Sequence, residues 1–268
     1  MKIHPTAIVS QEAELAEDVE IGPFVCIEGK AVIGAGCRIQ SHAVLSGPVR
    51  LGQNNTVGYG AIIGAPPQDF AFNPETRSEV VIGDKNTIRE HCTIHRGTSE
   101  GSATTVGDGN FLMAGVHLGH NARVGNQVVI ANNSMLGGHV AIDDRAFIGG
   151  GCVFHQFVRV GTLVIAQGAS AFSKDIPPFT LAAERNTVAG LNVVGLRRAG
   201  LDAGQRAEIK DAFKLLYKSG LNVTQALERA REREWDGHAR AFFDFVAAAK
   251  KRGICALLRN AGDATAEL

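Results

Sequence analysis

The sequence predicts a mainly β protein, with a β-solenoid over residues 1–190 and an α-helical domain over residues 191–268. Two observations predict the solenoid: an aliphatic residue recurs at every sixth position over most of the stretch from Val9 to Val160, and a small or β-branched residue stands two positions before it. A period of six matches neither a helix nor an ordinary strand, but it suits flat solenoid faces joined by turns. A third observation, apolar residues at helical spacing after Gly204, predicts the helices.

The aliphatic position runs without a miss from Val9 to Ile63, resumes at Ile82, and continues to Val160 with the bulkier Phe154 in one unit. Three such units would complete one coil, so every third unit would stack on the same face. Glycine often follows the aliphatic residue, and we expect Gly and Asn to occupy corners that need a positive φ.

The repeat is interrupted twice. The spacing slips between Ile63 and Ile82, across a stretch rich in Gly and Pro that cannot form a coil strand. A second break keeps the phase but puts Glu100 at the aliphatic position. We therefore predict loops near residues 64–79 and 96–103, and long loops on a rigid scaffold often carry function.

The composition predicts a cytoplasmic protein. The formal net charge is zero, with 11 Lys and Arg against 15 Asp and Glu in residues 1–171 and 16 against 12 in the remainder. The five cysteines show no C-x-x-C spacing, and three of them stand at the small position of the repeat, which favours reduced core residues. The repeat leaves no room for a signal peptide, and no apolar run reaches membrane-spanning length. We expect no nucleic-acid partner and no stable membrane insertion.

The tail should contain three amphipathic helices, over residues 205–220, 223–235 and 238–251. We expect them to cap the open end of the solenoid. One face of the first helix carries a basic stripe, formed by Arg206, Lys210, Lys214 and Lys218. The stripe is either a solvated surface or a dock for an acidic partner.

Four of the nine histidines should share one face of the solenoid. The units that begin at Val116, Ser134 and Cys152 occupy every third place in the repeat, so they would stack on three successive coils. They contain His117, His120, His139 and His155, whereas His95 is expected outside this face, beside the second loop. The sequence has no Walker loop, no serine or cysteine nucleophile motif and no H-E-x-x-H. Histidine as a general base and histidine as a metal ligand both remain open.

Several segments resemble the UDP-N-acetylglucosamine 3-O-acyltransferase family, and the resemblance runs nearly from end to end. The segments are Gln68-Asp69, Ile94-His-Arg-Gly97, Val116-His-Leu-Gly-His-Asn-Ala-Arg-Val-Gly-Asn126, Ala131-Asn-Asn-Ser134, Gly138-His139, His155-Gln-Phe157 and Asp175-Ile-Pro-Pro178. The resemblance implies a left-handed parallel β-helix. It also implies transfer of an (R)-3-hydroxyacyl chain from acyl carrier protein to UDP-N-acetylglucosamine, the first step of lipid A biosynthesis. A homotrimer with sites between neighbouring solenoids, and no cofactor or metal, would follow.

The resemblance also assigns roles to residues. His120 would be the general base and the Gly138 backbone N–H the oxyanion donor, while Gly168 would limit the length of the acyl groove. The substrate-binding residues would be Gln68, Asp69, His95, His117, His139, His155, Gln156, Asn192 and Arg198. The last two would reach the nucleotide.

The chain departs from some relatives at four positions. Asn121 stands where some have an aspartate after the catalytic histidine, which puts an orienting carboxylate in question. Ala71, Val194 and Ala199 replace Lys, Glu and Arg of some relatives, so contacts to the nucleotide should differ.

Other functions compete with this one. A γ-type carbonic anhydrase is also a hexapeptide-repeat trimer, and its interface histidines bind zinc. A non-catalytic scaffold would make the histidine face incidental. The later N-acyltransferase of the same pathway normally has an extra N-terminal uridine-binding domain, whereas this chain starts directly on repeats.

Overall fold

A computed structural model describes residues 1–250 and 252–258 of the chain. It shows a left-handed parallel β-helix with helices at its C-terminal end, which confirms the predicted fold class. Lys251 and residues 259–268, which the sequence places in the helical domain, lie outside the described residues.

The strands stack into three sheets, one for each face of the coil. The first sheet contains β1 (Lys2–Ile3), β4 (Glu20–Ile21), β7 (Arg38–Ile39), β10 (Thr56–Val57), β13 (Thr87–Ile88), β16 (Phe111–Leu112), β19 (Val129–Ile130), β22 (Phe147–Ile148), β25 (Ile165–Ala166), β27 (Thr180–Ala183), β28 (Thr187–Leu191) and β29 (Ala256–Leu257). The second contains β2 (Ile8–Val9), β5 (Cys26–Glu28), β8 (Val44–Ser46), β11 (Ile62–Ala65), β14 (Thr93–His95), β17 (His117–Leu118), β20 (Met135–Leu136), β23 (Val153–Phe154) and β26 (Ala171–Phe172). The third contains β3 (Glu14–Leu15), β6 (Ala31–Ile33), β9 (Val49–Leu51), β12 (Glu79–Ile82), β15 (Ala103–Val106), β18 (Arg123–Val124), β21 (Ala141–Ile142) and β24 (Arg159–Val160).

The six-residue period describes how this core is filled. Leu118 pairs in register with Leu136, which pairs with Phe154 one coil further on. The small residue two positions before each of them is also buried; Val116 and Cys152 are almost fully enclosed. Each face therefore turns two side chains per unit inwards, and the stacked rows form one continuous apolar column.

We expected the glycines that directly follow the aliphatic position to occupy corners with a positive φ. This was wrong for all of them except Gly64. The left-handed residue comes two positions later, and it is usually not glycine, as at Asn121 and His139. The glycines are needed because the next coil approaches them closely. A Cβ on Gly34, for example, would lie 2.6 Å from the carbonyl oxygen of Gly52.

A ladder of three buried asparagines replaces the small position on three successive coils. Asn55 Oδ1 accepts from the backbone N–H of Asn86 at 2.8 Å, and Asn86 Oδ1 accepts from Asn110 N–H at 2.8 Å. Asn110 Oδ1 in turn accepts from Val128 N–H at 2.7 Å. Because every step is hydrogen-bonded, these polar groups can be buried without a large desolvation penalty.

Two loops leave the solenoid between the second and third sheets, at residues 66–78 and 96–102. Arg96 in the second loop donates to the carbonyl oxygens of Pro74 and Thr76 in the first, and its guanidinium lies 5.1 Å from the Phe72 ring centroid. Ser78 Oγ donates to the Gly97 carbonyl oxygen at 2.6 Å. The two loops therefore form one connected structure beside the histidines.

In the described part of the chain, four helices follow the solenoid: α1 (Val193–Arg198), α2 (Ala203–Tyr217), α3 (Val223–Ala230) and α4 (Gly237–Ala247). The sequence predicted the last three, with different ends, and missed α1. Arg159 on the last coil forms an ion pair with Asp175 at 2.7 Å and donates to the Phe245 carbonyl oxygen in α4, so the helices are tied to the solenoid end. Within the described residues, no helix has the length and apolar character needed to span a membrane.

Candidate active site

The candidate site lies on the second sheet, where four neighbouring strands end. β14, β17, β20 and β23 stack in that order. His117 lies in β17, and the turns after β17, β20 and β23 carry His120, His139 and His155. His95 ends β14 and therefore lies on the same face as His117, so the expectation that it lies outside was wrong. The prediction assumed three six-residue units in every coil. The second loop adds a fourth unit between Thr93 and its partner His117, which moves His95 onto this face.

The turns enclose a small cavity of about 160 Å³. It is lined by Gln68, His95, His117, Gly119, His120, Gly137, Gly138 and Gln156. Larger hollows of about 550 and 420 Å³ lie beside the first coils and between β28, α1 and α2. Neither of them gathers a comparable set of histidines, so the chemistry points to the smaller cavity.

His120 is held by its neighbour in the chain. Its Nδ1 lies 2.9 Å from Asn121 Oδ1, which also accepts from the backbone N–H and the hydroxyl of Thr98. A backbone N–H can only donate, so the atom it meets is the amide oxygen, and Nδ1 of His120 carries the proton. Nε2 is then left with a lone pair.

Nε2 of His120 lies directly against Gly138. A Cβ built on Gly138 would overlap the imidazole ring, so only glycine allows the ring this position. The Gly138 N–H has no hydrogen-bond acceptor among the described residues. His120 Nε2, a proton acceptor, and the free Gly138 N–H, a donor, therefore lie side by side in the lining of the cavity.

His95 and His117 form the inner wall. The His117 Nδ1 lies 2.8 Å from Thr93 Oγ1, and the His95 Nδ1 lies 2.6 Å from the Pro66 carbonyl oxygen, to which it donates. Burial, assisted by His95, lowers the pKa of His117 to about 4. Burial likewise lowers the pKa of His95. Both rings are therefore neutral near pH 7 and offer hydrogen bonds without charge.

The depressed pKa of His117 predicts a contribution to acid lability. Between about pH 6.5 and 4 the unfolded chain protonates this histidine while the folded chain keeps it neutral, so stability falls as the pH falls. Between pH 7 and pH 4.5, we expect the free energy of unfolding to fall by about 1–2 kcal/mol less in His117→Gln than in wild type, after allowance for solvent screening. Urea unfolding at both pH values and one protein concentration measures this. His4→Gln, at an exposed histidine, is the control, and equal losses in His117→Gln and wild type would contradict the assignment.

His139 and Gln156 occupy the next two coils. The His139 ring stacks on Phe157 at 4.4 Å and meets the His120 ring edge at 5.2 Å. Partial burial, with the nearby His120 and Arg123, lowers the pKa of His139. Gln156 lines the cavity, whereas His139 lies behind His120 and is exposed.

His155 points towards the C-terminal segment. Arg252 donates to the Gln156 carbonyl oxygen at 2.8 Å, and its guanidinium also contacts His155 Nδ1. Nothing in the sequence pointed to Arg252, because it lies far along the chain from Gln156 and outside the repeat. Its contact brings a positive charge to the rim of the site.

The first loop brings Gln68 to the cavity and leaves Asp69 exposed beside it. Asp69 Oδ1 accepts from the Ala71 N–H at 2.9 Å, so one carboxylate oxygen is used in the turn. The second oxygen has no hydrogen-bond partner among the described residues and faces solvent.

The remaining predicted residues lie away from the cavity within this chain. Asn192 is buried as the N-cap of α1, where Oδ1 accepts from Gly195 N–H and Nδ2 donates to the Leu163 carbonyl oxygen. Arg198 is exposed in the last turn of α1. Gly168 is exposed at the corner after β25 and lies over Gly150 of the preceding coil.

The arrangement of the site suits general-base chemistry. Among residues 1–250 and 252–258, no group of three His, Cys, Asp or Glu side chains is arranged to hold a metal ion. The site instead pairs a base with a free N–H donor, which suits attack of a hydroxyl on a carbonyl. The fold and the site together define a hexapeptide-repeat acyltransferase.

Comparison with known proteins narrows the class. Residues 12–47 and 103–138 match the bacterial transferase hexapeptide family model, and residues 175–255 match the model for domain 2 of UDP-N-acetylglucosamine O-acyltransferase. The chain is 42% identical over 258 residues to a protein of Syntrophobacter fumaroxidans, covering 95% of this chain and 99% of that one. That relative is named acyl-(acyl-carrier-protein)--UDP-N-acetylglucosamine O-acyltransferase.

Solved structures give the same result. A UDP-N-acetylglucosamine acyltransferase from Bacteroides fragilis superposes with a TM-score of 0.88 at 40% identity, covering 96% of this chain and 100% of that one. The enzyme from Campylobacter jejuni gives a TM-score of 0.90 at 36% identity, with the same coverage. The chain belongs to the UDP-N-acetylglucosamine O-acyltransferase family and is an O-acyltransferase.

Proposed function

We propose that the protein transfers an (R)-3-hydroxyacyl chain from acyl carrier protein to the 3-hydroxyl of UDP-N-acetylglucosamine, the first step of lipid A biosynthesis, in the cytoplasm. The names of the relatives support both substrates. One observation carries the mechanism: His120, whose Nδ1 meets the Asn121 amide oxygen, places Nε2 against Gly138, and the Gly138 N–H has no acceptor among the described residues.

In the proposed reaction, His120 Nε2 takes the proton from the sugar 3-hydroxyl as that oxygen attacks the thioester carbonyl carbon. The carbonyl oxygen becomes an oxyanion and accepts a hydrogen bond from Gly138 N–H. When the tetrahedral intermediate collapses, the C–S bond breaks and the protonated His120 returns its proton to the thiolate. The products are the 3-O-acyl sugar nucleotide and the carrier thiol, and His120 is again neutral.

The surrounding residues have proposed binding roles. Asp69, His117, His139 and Gln156 hold the glucosamine and pyrophosphate, and Gln68, His95 and His155 complete the lining. Neutral His117 suits hydrogen bonds to sugar hydroxyls, and Arg252 beside His155 adds a positive charge suited to the pyrophosphate.

Asn192 and Arg198 have proposed contacts to the nucleotide, although α1 and the cavity share no lining residue within one chain. A homotrimer, with sites between neighbouring solenoids, would let a second copy supply them. The Asn192 side chain is occupied in capping α1, so Arg198, which is exposed, is the stronger of the two candidates.

The basic stripe has a structural context that supports docking of an acidic carrier protein. Arg206, Lys210, Lys214 and Lys218 line the hollow of about 420 Å³, whose floor includes Phe213 and is mainly apolar. Basic groups around an apolar floor can attract an acidic protein and accept apolar contacts from it.

The proposal is tested by measuring turnover of 3-hydroxyacyl-acyl carrier protein with UDP-N-acetylglucosamine and with its 3-amino-3-deoxy analogue. Zinc is determined on the same preparation. Acyl transfer without stoichiometric zinc supports the proposal. No transfer to either acceptor, together with tightly bound zinc, would instead favour a metal-dependent activity such as that of a carbonic anhydrase.

The proposed acyl groove gives a specificity prediction. Gly168 has no side chain, and a Cβ there would lie 3.1 Å from the Gly150 carbonyl oxygen, so a larger residue must extend outwards along the corner. We expect Gly168→Met to shift the chain-length preference to shorter acyl groups, by about tenfold or more between chains differing by four methylenes. Competition assays with mixed acyl-carrier proteins measure the shift.

Gly237→Met is the matched control, because nothing lies within 4 Å of a Cβ built there. An unchanged chain-length profile in a folded Gly168→Met protein would reject the proposed role of Gly168.

A further inference from the structure

The first loop carries Gln68 and Asp69, two residues with proposed roles in binding the sugar nucleotide. Its two ends are fastened to the solenoid and the second loop, through the Pro66 carbonyl oxygen and the Ser78 hydroxyl. Between these ends, the side chains of Asp69 and Asn73 each accept from a backbone N–H two residues further on. Such turns fix the local shape of the loop, but they do not fix where it lies relative to the histidines.

Arg96 supplies the contacts that fix this position. Its Nη1 donates to the Thr76 carbonyl oxygen at 3.0 Å and its Nη2 to the Pro74 carbonyl oxygen at 3.2 Å, and its guanidinium lies over the Phe72 ring. Among the described residues, no other group outside the loop forms a hydrogen bond with residues 67–76. The direction of these bonds is unambiguous, because a guanidinium can only donate and a carbonyl oxygen can only accept.

The environment of Arg96 is not optimal for stability. Its Nε–H is buried and has no hydrogen-bond partner among the described residues. A buried donor without an acceptor opposes folding, and an apolar side chain of similar length would avoid that penalty. The net contribution of Arg96 to global stability should therefore be small, although its contacts determine where the middle of the first loop lies.

We propose that Arg96 is a positioning residue for the sugar nucleotide: it holds the first loop so that Gln68 lines the cavity and Asp69 lies beside it. This inference rests on the proposed function, which gives those two residues their binding roles. Arg96 does not line the cavity itself, so it acts through the loop. If the loop is in place for only part of the time, the apparent affinity for the sugar nucleotide falls by that fraction.

The first test replaces Arg96 with methionine, which keeps an unbranched apolar chain beside Phe72 and removes every donor of the side chain. We expect the KM for UDP-N-acetylglucosamine to rise about tenfold, as for a loop in place about a tenth of the time, and the KM for the acyl-carrier protein to change less than about twofold. kcat should stay near the wild-type value, because saturating sugar nucleotide draws the loop back into place. Steady-state kinetics with each substrate varied in turn measures all three.

Two further measurements separate positioning from general damage to the fold. Arg96→Met should unfold near the wild-type temperature, since the unsatisfied donor is removed together with the two hydrogen bonds. Chymotrypsin should cleave after the fully exposed Phe70 faster in Arg96→Met than in wild type, because cleavage requires the loop to open locally. Arg38→Met is the matched control: Arg38 pairs with Glu20 on the first sheet, outside the loop and the cavity, and its loss should change neither KM nor cleavage.

A double-mutant cycle tests whether Arg96 acts through the binding residues of the loop. In a Gln68→Ala, Asp69→Asn background, Arg96→Met should raise the KM for the sugar nucleotide by less than about twofold, because the groups that Arg96 positions are already altered. Asparagine at position 69 retains an acceptor for the Ala71 N–H, so the turn in the loop is preserved.

An equal rise in KM in both backgrounds would overturn the inference, because Arg96 would then act independently of Gln68 and Asp69. An unchanged KM for the sugar nucleotide in Arg96→Met, or an equal rise in the KM of both substrates, would also overturn it. The background variant distinguishes the two levels. Wild-type KM in Gln68→Ala, Asp69→Asn would refute the proposed binding roles of the loop, whereas a raised KM there with none in Arg96→Met would refute only the positioning role.

Discussion

Replacing His120 with alanine is expected to lower kcat for acyl transfer by about 10²–10⁴-fold, the usual contribution of a general base. The expectation follows from the ring's environment: Nδ1 is hydrogen-bonded to the Asn121 side chain, and Nε2 contacts Gly138. KM should change little, because the other cavity-lining residues are untouched. Steady-state kinetics with both substrates varied measures the two effects separately.

His91→Asn is a matched control for the loss of a histidine. His91 is exposed at a coil corner that is not part of the cavity, and asparagine suits its φ of 55°. The control should retain wild-type kcat, and both variants should unfold at nearly the wild-type temperature because His120 is only half-buried. If His120→Ala kept more than a tenth of wild-type kcat, another group would have to be the base.

The six-residue aliphatic period predicted much of the fold, because each unit of the solenoid has the same pattern of buried residues. A buried residue and a smaller one two positions earlier suffice to place most strands, as at Ile130 and Val128. The period misleads where the coil length changes. His95 was assigned to the wrong face because an inserted loop keeps the phase of the period while adding a unit, and periodicity alone cannot detect that.

The site was predictable to a similar degree. The stacking of His117 and the turn containing His120 follows from register, which is a property of the backbone. Thr98 and Arg252 could not be found in this way, because their contacts depend on how a loop and the chain's last described segment fold back onto the solenoid. No repeat governs those segments, so their sequence carries no comparable signal.

Replacing Gly138 with alanine is expected to lower kcat by about 10²-fold or more, the cost of a misplaced catalytic group, while leaving the protein folded. The backbone at Gly138 is outside the left-handed region, so alanine is not excluded by φ. The added Cβ would occupy the place of the His120 ring and displace Nε2 from the oxyanion donor. The loss should therefore arise from the misplaced base, because the Gly138 N–H itself remains.

A double-mutant cycle tests that cause. If the methyl group acts by displacing the ring, Gly138→Ala should cost almost nothing further in a His120→Ala background, since the ring is already gone. An equal loss in both backgrounds would instead mean that alanine obstructs the approach of the thioester carbonyl to the N–H, independently of His120. Gly237→Ala, where a Cβ meets nothing within 4 Å, controls for the general effect of adding a methyl group. Wild-type kcat in Gly138→Ala would contradict the close approach of His120 to Gly138, and with it the arrangement on which the proposed mechanism depends.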